Sequence, residues 1–291
     1  GGGALFFPRI NPANDSEFYI ACDMSEMFHS TDYGNTYSQI HFSKLPAMNV
    51  STYEFTNNAN IAYSNYNDGN EGYPVRTTDG GNIWTQLPGF NSSLGGVYSM
   101  KANYSNPNQL LMGYYGDIVF SNDGGNTFSL VRHAANMGVG LIMGGACFDG
   151  SNIYIGTNEG LIYSTNGGGN FSMMVTSGIP AGQVLWSLAA AKVGINTRFV
   201  CITAASADVY NGLMPYDYYG FPTGVYTMDN ASGTWISHST GINFSNDYVM
   251  YAAMAENDIN TIYLGGSDGA LNAPLIYKSS NGGTSWSKVF L

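Results

Sequence analysis

Apolar residues in this chain come in short runs, each bounded by clusters of Gly, Asn, Asp, Ser and Thr. Runs of this kind between turn residues predict β-strands. An eight-residue phrase punctuates them. It reads Ser-Thr-Asp-Tyr-Gly-Asn-Thr-Tyr at 30–37, Thr-Thr-Asp-Gly-Gly-Asn-Ile-Trp at 77–84 and Ser-Asn-Asp-Gly-Gly-Asn-Thr-Phe at 121–128. It returns as Ser-Thr-Asn-Gly-Gly-Gly-Asn-Phe at 164–171 and Ser-Ser-Asn-Gly-Gly-Thr-Ser-Trp at 279–286, and a worn copy at 227–235 keeps Asp229, Gly233 and Trp235. A period of roughly 45–60 residues is the mark of a propeller or solenoid.

The centre of the phrase is a turn. Glycine reaches positive φ at no steric cost, and Asp or Asn can bond its own backbone two residues on. A β-rich run precedes each copy: Met27–His29, Pro74–Arg76, Ile118–Phe120, Leu161–Tyr163, Gly224–Tyr226 and Leu275–Lys278. Another follows, as at Tyr37–Phe42, Trp84–Leu87 and Phe128–Val131, so the phrase joins two antiparallel strands. Two more strands lie ahead of it, such as Val97–Ala102 and Gln109–Tyr114, Leu141–Phe148 and Asn152–Gly156, Val184–Ala191 and Arg198–Ala204, or Val249–Ala255 and Thr261–Gly265. Four strands, A to D, make one propeller blade. The expected fold is all-β: a single β-propeller domain over 1–291. Six antiparallel blades are expected near 4–43, 48–88, 96–132, 140–176, 183–238 and 247–291, with a seventh if the chain is truncated after Leu291.

Composition narrows the partners. The chain has 291 residues, of which 38 are Gly and only 10% charged, as suits a turn-rich β protein; its net charge is −11. That balance repels polyanions and excludes nucleic acid. No apolar stretch approaches a membrane span. Few lysines and abundant Asn, Ser, Thr and Tyr suggest an extracellular or cell-surface protein, with Asn-x-Ser sequons such as those at Asn49 and Asn103. Cys22, Cys147 and Cys201 are odd in number and irregular in spacing, which argues for buried small apolar residues rather than disulfides. His29, His41, His133 and His238 are scattered, without a zinc pattern. Asn65–Glu71 alternates oxygen donors, but an Asn/Gly turn accounts for it without calcium. No cofactor is expected.

Antiparallel strands put the repeated phrase at one end of each blade and the B–C and D–A loops at the other. Binding residues concentrate on such loops. Each blade brings an acid to its B–C loop: Asp23 and Glu26, Asp68 and Glu71, Asp117, Glu159, Asp208 and Asp217, and Asp268. These could act as acids and bases, hold a cation or bond sugar hydroxyls, or simply be solvated. The fifth B–C loop, 205–223, adds Tyr210, Tyr216, Tyr218, Tyr219 and Phe221. That is a candidate platform for the apolar face of a sugar, or a loop folded on its own aromatics.

The phrase resembles the Asp box, or BNR repeat, of sialidases, sortilin-type receptors and xyloglucanase-type (family 74) glycoside hydrolases. The opening segment is similar to the start of the N-terminal propeller of those hydrolases: Gly1-Gly2-Gly3, Ile10-x-Pro12, then Tyr19 four residues before Asp23. The resemblance implies that Asp23 is a catalytic base. It departs at Ser25-Glu26, where the family has Gly-Gly, and in the absence of the second propeller that supplies the acid; Glu26 or a carboxylate of a facing blade is the substitute. Sialidase chemistry fits less well: its carboxylate clamp needs three arginines, and of the four here, Arg9, Arg76, Arg132 and Arg198, Arg76 sits beside the repeated phrase on the wrong face, while the acidic rim would repel sialic acid. The expected function is therefore a secreted, glycoside-hydrolase-like propeller that binds or cleaves a β-glucan-type polysaccharide. Asp68, Asp117, Glu159, Asp208, Asp268 and the tyrosines would contact the glycan. A second propeller or another domain of the same precursor would be its partner. The alternative is a non-catalytic adhesion or structural module of a larger surface assembly.

Overall fold

A computed structural model describes residues 3–24, 26–208, 222–271 and 273–290. Among them the chain is a six-bladed β-propeller of four-stranded antiparallel sheets, with one 3-10 turn at Ser92–Leu94. It divides into two compact units, Gly1–His133 and Ala134–Leu291.

The first unit holds three blades. Blade 1 is β1 (Leu5–Asn11), β2 (Asn14–Cys22), β3 (Glu26–Ser30) and β4 (Ser38–Ile40). Blade 2 is β5 (Tyr53–Phe55), β6 (Ala62–Asn67), β7 (Gly72–Thr77) and β8 (Thr85–Gln86). Blade 3 is β9 (Ser99–Ala102), β10 (Leu110–Gly113), β11 (Asp117–Ser121) and β12 (Ser129–His133). The second unit holds the rest. Blade 4 is β13 (Met143–Asp149), β14 (Asn152–Thr157), β15 (Gly160–Ser164) and β16 (Ser172–Met173). Blade 5 is β17 (Gln183–Val193), β18 (Asn196–Ala205), β19 (Pro222–Asp229) and β20 (Ile236–Ser237). Blade 6 is β21 (Asp247–Ala255), β22 (Asp258–Asp268), β23 (Ala273–Ser279) and β24 (Ser287–Phe290).

The core lies between blades. Strand side chains alternate faces, and β18 shows the consequence: Phe199 and Cys201 pack with Tyr154 and Leu161 of blade 4, while Val200 and Ile202 pack with Val249, Ile262 and Leu264 of blade 6. In the first unit, Ala62 joins Tyr19, Ala21 and Met27 of blade 1, and its neighbour Tyr63 joins Met100, Leu110 and Met112 of blade 3. A middle strand buried on both faces reads as a near-continuous apolar run, as in β10 (LLMG) and β18 (NTRFVCITAA). Cys22 and Cys201 are buried free thiols as expected, whereas Cys147 is half-buried.

The repeated phrase closes the turn between strands C and D in five blades. Its opening hydroxyl is the last residue of strand C and is buried: Ser30, Thr77, Ser121, Ser164 and Ser279. In blade 3, Ser121 Oγ donates to Asp123 Oδ1 at 2.8 Å and accepts the Gly125 N–H at 2.8 Å. Asp123 then accepts from the Thr127 N–H at 2.9 Å and the Thr127 hydroxyl at 2.6 Å. These bonds, led by the Thr127 hydroxyl, hold the Asp123 carboxyl at about 2. Asn166 and Asn281 stand in for the acid in blades 4 and 6, each taking the hydroxyl at 2.9 Å. The worn copy behaves differently: a longer insertion, with Asn230 and Ala231 at positive φ, carries Asp229 out of the turn and into an ion pair with Arg198.

Removing the Ser121 hydroxyl orphans a buried N–H, so Ser121→Ala is expected to cost about 1–3 kcal/mol in chemical denaturation. Asp123→Asn is expected to fold, because Asn serves in two other blades. A depressed folded pKa gives stability that is present above the ordinary carboxyl range, near 4, and is lost as pH falls toward 2. The Asn variant should therefore show a flatter fall in melting temperature between pH 4 and 2 than the parent.

Candidate functional site

The B–C hairpins lie at the opposite end of each sheet from the repeated turn. The structure gives the acids there particular partners. Asp23 follows β2 and is half-buried; its Oδ1 accepts the Ala4 N–H at 2.9 Å while its own N–H donates to the Ala4 carbonyl at 3.2 Å. The fit to Gly3 is close, for a Cβ there would stand 2.7 Å from Asp23 Oδ1. Glu26 opens β3 directly across from Cys22, so the two candidate catalytic carboxylates flank one tight reversal. Tyr19 lies deeper in the same strand. Its ring stacks on Tyr53 at 3.7 Å and on His29 at 4.1 Å, both nearly parallel, and burial pushes its hydroxyl pKa up.

Asp68 is exposed and accepts the Asn70 and Glu71 N–H groups at 2.9 and 2.8 Å, bonds that lower its pKa. Asn67 likewise accepts the Gly69 N–H at 2.9 Å, so the Asn65–Glu71 loop directs these oxygens to its own backbone. Beside Asp68 is a feature that sequence reasoning passed over: the Tyr66 and Tyr73 rings stack at 4.5 Å with 6° between planes, as side-chain partners across β6 and β7. The alternation of Tyr66 and Tyr73 about an Asn-Asp-Gly-Asn turn was the available signal. Asp117 opens β11 and meets His133 Nδ1 at 2.8 Å across the sheet.

In the second unit, Glu159 accepts the Ala135 N–H at 2.5 Å. Asp208 closes a turn through its N–H to the Ala205 carbonyl at 3.0 Å. Tyr210, Tyr216, Tyr218, Tyr219, Asp217 and Phe221 lie outside the described residues. Asp268 accepts the Ala270 and Leu271 N–H groups at 2.9 and 3.0 Å, and these bonds, chiefly that from Leu271, hold its pKa down. It faces Asp247 across β21 and β22, and Lys288 lies between them, 3.1 Å from Asp247 and 3.3 Å from Asp268. The Tyr277 hydroxyl also donates to Asp247. The cluster is hidden along the chain because its members come from all four strands of blade 6.

A second unforeseen cluster lies on the A strands of the first unit. Glu54 of β5 is buried, takes Arg9 Nε of β1 at 2.6 Å and lies 3.8 Å from Lys101 of β9. Burial opposes its ionisation, but Arg9 and Lys101 outweigh that and keep its pKa low. Among the described residues no group of three or more His, Cys, Asp or Glu converges as a metal site would require.

No protein-family model matches the sequence, and no curated protein matches it. Solved structures do. The chain superposes on a GH74 enzyme of Niastella koreensis with a TM-score of 0.70 at 17% identity, using 99% of this chain and 45% of that one. It superposes on the GH74 xyloglucanase of Xanthomonas campestris with a TM-score of 0.68 at 13% identity, over 100% of this chain and 46% of that one. YCF48 from Cyanidioschyzon merolae matches with a TM-score of 0.61 at 12% identity, over 98% and 85%. Identities this low show a shared propeller fold, and the chain spans less than half the length of either GH74 protein.

Lys288 neutralises two carboxylates that face each other at strand ends. Lys288→Met is expected to lower the melting temperature more at pH 7 than at pH 2.5. The Leu271 N–H and then Lys288 hold the Asp268 pKa down, so the stability that Lys288 adds is present above the ordinary carboxyl range and is lost as pH falls below it. Thermal melts of both proteins at the two pH values check this; equal shifts would remove the cluster's electrostatic role.

Proposed function

We propose that this chain is a carbohydrate-active propeller of the glycoside-hydrolase-like kind, built on Asp-box repeats and working outside the cell on a β-glucan-type polysaccharide. The supporting observation is the conjunction of GH74 propellers among its structural neighbours with Asp23 at the mouth of the first B–C hairpin. Asp23 serves as general base and Glu26, one tight reversal away, as its partner. Inverting cleavage needs two carboxyls about 6.5–9.5 Å apart so that a water fits between them. Asp68, Asp117, Glu159, Asp208 and Asp268 accept sugar hydroxyls, and Tyr210, Tyr216, Tyr218 and Tyr219 carry the ring faces. A second propeller or other domain of the same precursor completes the cleft.

A second reading has its own support. Asp68, Asp117, Glu159 and Asp268 each hold a backbone N–H or a histidine or lysine of the propeller itself. Carboxylates occupied in this way suit a rigid non-catalytic module for extracellular adhesion or surface assembly.

Titration with xyloglucan oligosaccharides, together with reducing-sugar release from xyloglucan, separates the readings. The first expects binding and turnover, with Asp23→Asn lowering turnover by about 100-fold or more while binding persists. Binding without turnover supports the module. Neither binding nor turnover on any β-glucan overturns the carbohydrate reading.

A further inference from the structure

At two junctions between consecutive blades an arginine lies against the first glycine of the next blade's turn and a nearby asparagine, Arg198 reaching there from strand B and Arg76 from strand C, and only Arg198 has a carboxylate partner. In the second unit Arg198 of β18 lies against Gly282, the first glycine of the blade 6 turn, whose N–H donates to the Asn260 carbonyl. Its Nε and Nη2 donate to the two Asp229 oxygens at 2.7 Å each, and Nη1 reaches Asn260 Oδ1 at 3.4 Å. In the first unit Arg76 of β7 lies against Gly124, the first glycine of the blade 3 turn, whose N–H donates to the Asn108 carbonyl. A Cβ on Gly124 would stand 2.5 Å from Arg76 Nη1 and 3.4 Å from Asn108 Oδ1, so the glycine and asparagine walls are alike at the two junctions.

The counter-ion is what differs. Arg76 Nε is buried and has no hydrogen-bond partner. Its guanidinium carbon sits 5.5 Å from the centre of the Tyr63 ring. The acids of the two adjoining turns are committed elsewhere: Asp79 to the Ile83 N–H at 2.9 Å, and Asp123 to Thr127. Beside Arg76 opens a cleft of about 250 Å³, lined also by Thr78, Thr85, Gln86, Asn126, the exposed Ile83 and Asp79, whose Oδ1 is taken up by the Thr77 hydroxyl and the Asn82 and Ile83 N–H groups. A guanidinium is a rigid fork that matches a carboxylate bidentately. With its Nε buried and without a hydrogen-bond partner, the Arg76 guanidinium can take an anion.

We propose that the Arg76 cleft binds a small carboxylate-bearing molecule the size of one sugar acid, its carboxylate pairing with the Arg76 guanidinium as Asp229 pairs with Arg198. The hydroxyls and amides of Thr78, Thr85, Gln86 and Asn126 suit a hydroxylated ligand, and Ile83 offers an apolar edge to its C–H face. The volume is below the roughly 300–1,000 Å³ of drug-sized pockets and fits a single ring. This site lies at the repeated-turn end of the sheets, away from the B–C hairpins, and does not depend on their role.

Calorimetric titration of the whole protein at low salt with D-glucuronate, and with D-glucose as the uncharged control, tests it. Glucuronate is expected to bind at least about ten-fold more tightly than glucose, and Arg76→Gln to remove that preference. Gln86→Glu places a carboxylate inside the cleft; it should abolish glucuronate binding and raise the melting temperature, an outcome that does not rely on the Arg76 variant folding. Equal affinity for glucuronate and glucose overturns the proposal, and so does glucuronate binding that survives Gln86→Glu.

Discussion

A buried hydroxyl at the end of each C strand organises this molecule. Ser30, Thr77, Ser121, Ser164 and Ser279 each accept the N–H of a turn glycine at 2.8–3.0 Å and donate to the Asp or Asn two residues on. A buried N–H without a partner is expensive, so the hydroxyl decides the path of the chain into strand D. The same turn then docks on the blade before it. A Cβ on Gly125 would lie 2.8 Å from the Leu87 side chain, and the Gly125 carbonyl accepts the Gly89 N–H at 2.9 Å. In blade 6 the phrase's closing tryptophan, Trp286, donates through Nε1 to the His238 carbonyl of blade 5 at 2.7 Å. One short phrase therefore sets both the fold of a blade and its seat on its neighbour.

That arrangement distributes polarity. With the B and C strands of blades 2 to 5 largely buried on both faces, charges there are few and lie mostly near strand ends and hairpins. Several partly buried charges are paired: Glu54 with Arg9, Asp247 and Asp268 with Lys288, Asp229 with Arg198. Arg76, on strand C, has no carboxylate partner, whereas Arg198, on strand B, does. The two sites share glycine and asparagine walls, and they differ because Asp79 is held inside its turn while the longer turn of blade 5 sends Asp229 to Arg198.

The fold was legible because its determinants are local. The hydroxyl, the acid, the glycines and the closing aromatic fall within eight residues and recur, so strands C and D and the end of the blade that bears their turn follow from reading along the chain. The paired charges were not legible. Asp247 and Lys288 are 41 residues apart and meet only because β21 through β24 align in one register. Glu54 reads as a polar interruption in Tyr53–Phe55 until its neighbours on the A strands of blades 1 and 3 are in place. Asp229 misled for the opposite reason: it kept the residue types of the phrase but not its spacing, and an acid one step out of register found a cation instead of a turn.

The partners of the B–C acids also constrain what chemistry they can do. A carboxylate that accepts backbone N–H groups is stabilised in its charged form, and Asp68 and Asp268 have low pKa values for that reason. Such groups are ionised at neutral pH and serve as bases or as acceptors for hydroxyls. A glycosidic general acid needs the reverse, an apolar or anionic setting that keeps its proton until the leaving oxygen arrives. Hydrolysis on this scaffold therefore requires a carboxyl held differently from Asp68 and Asp268. Binding of a neutral polysaccharide requires only acceptors and ring faces, which the Asp68 hairpin with its Tyr66 and Tyr73 stack already combines at one hairpin of blade 2.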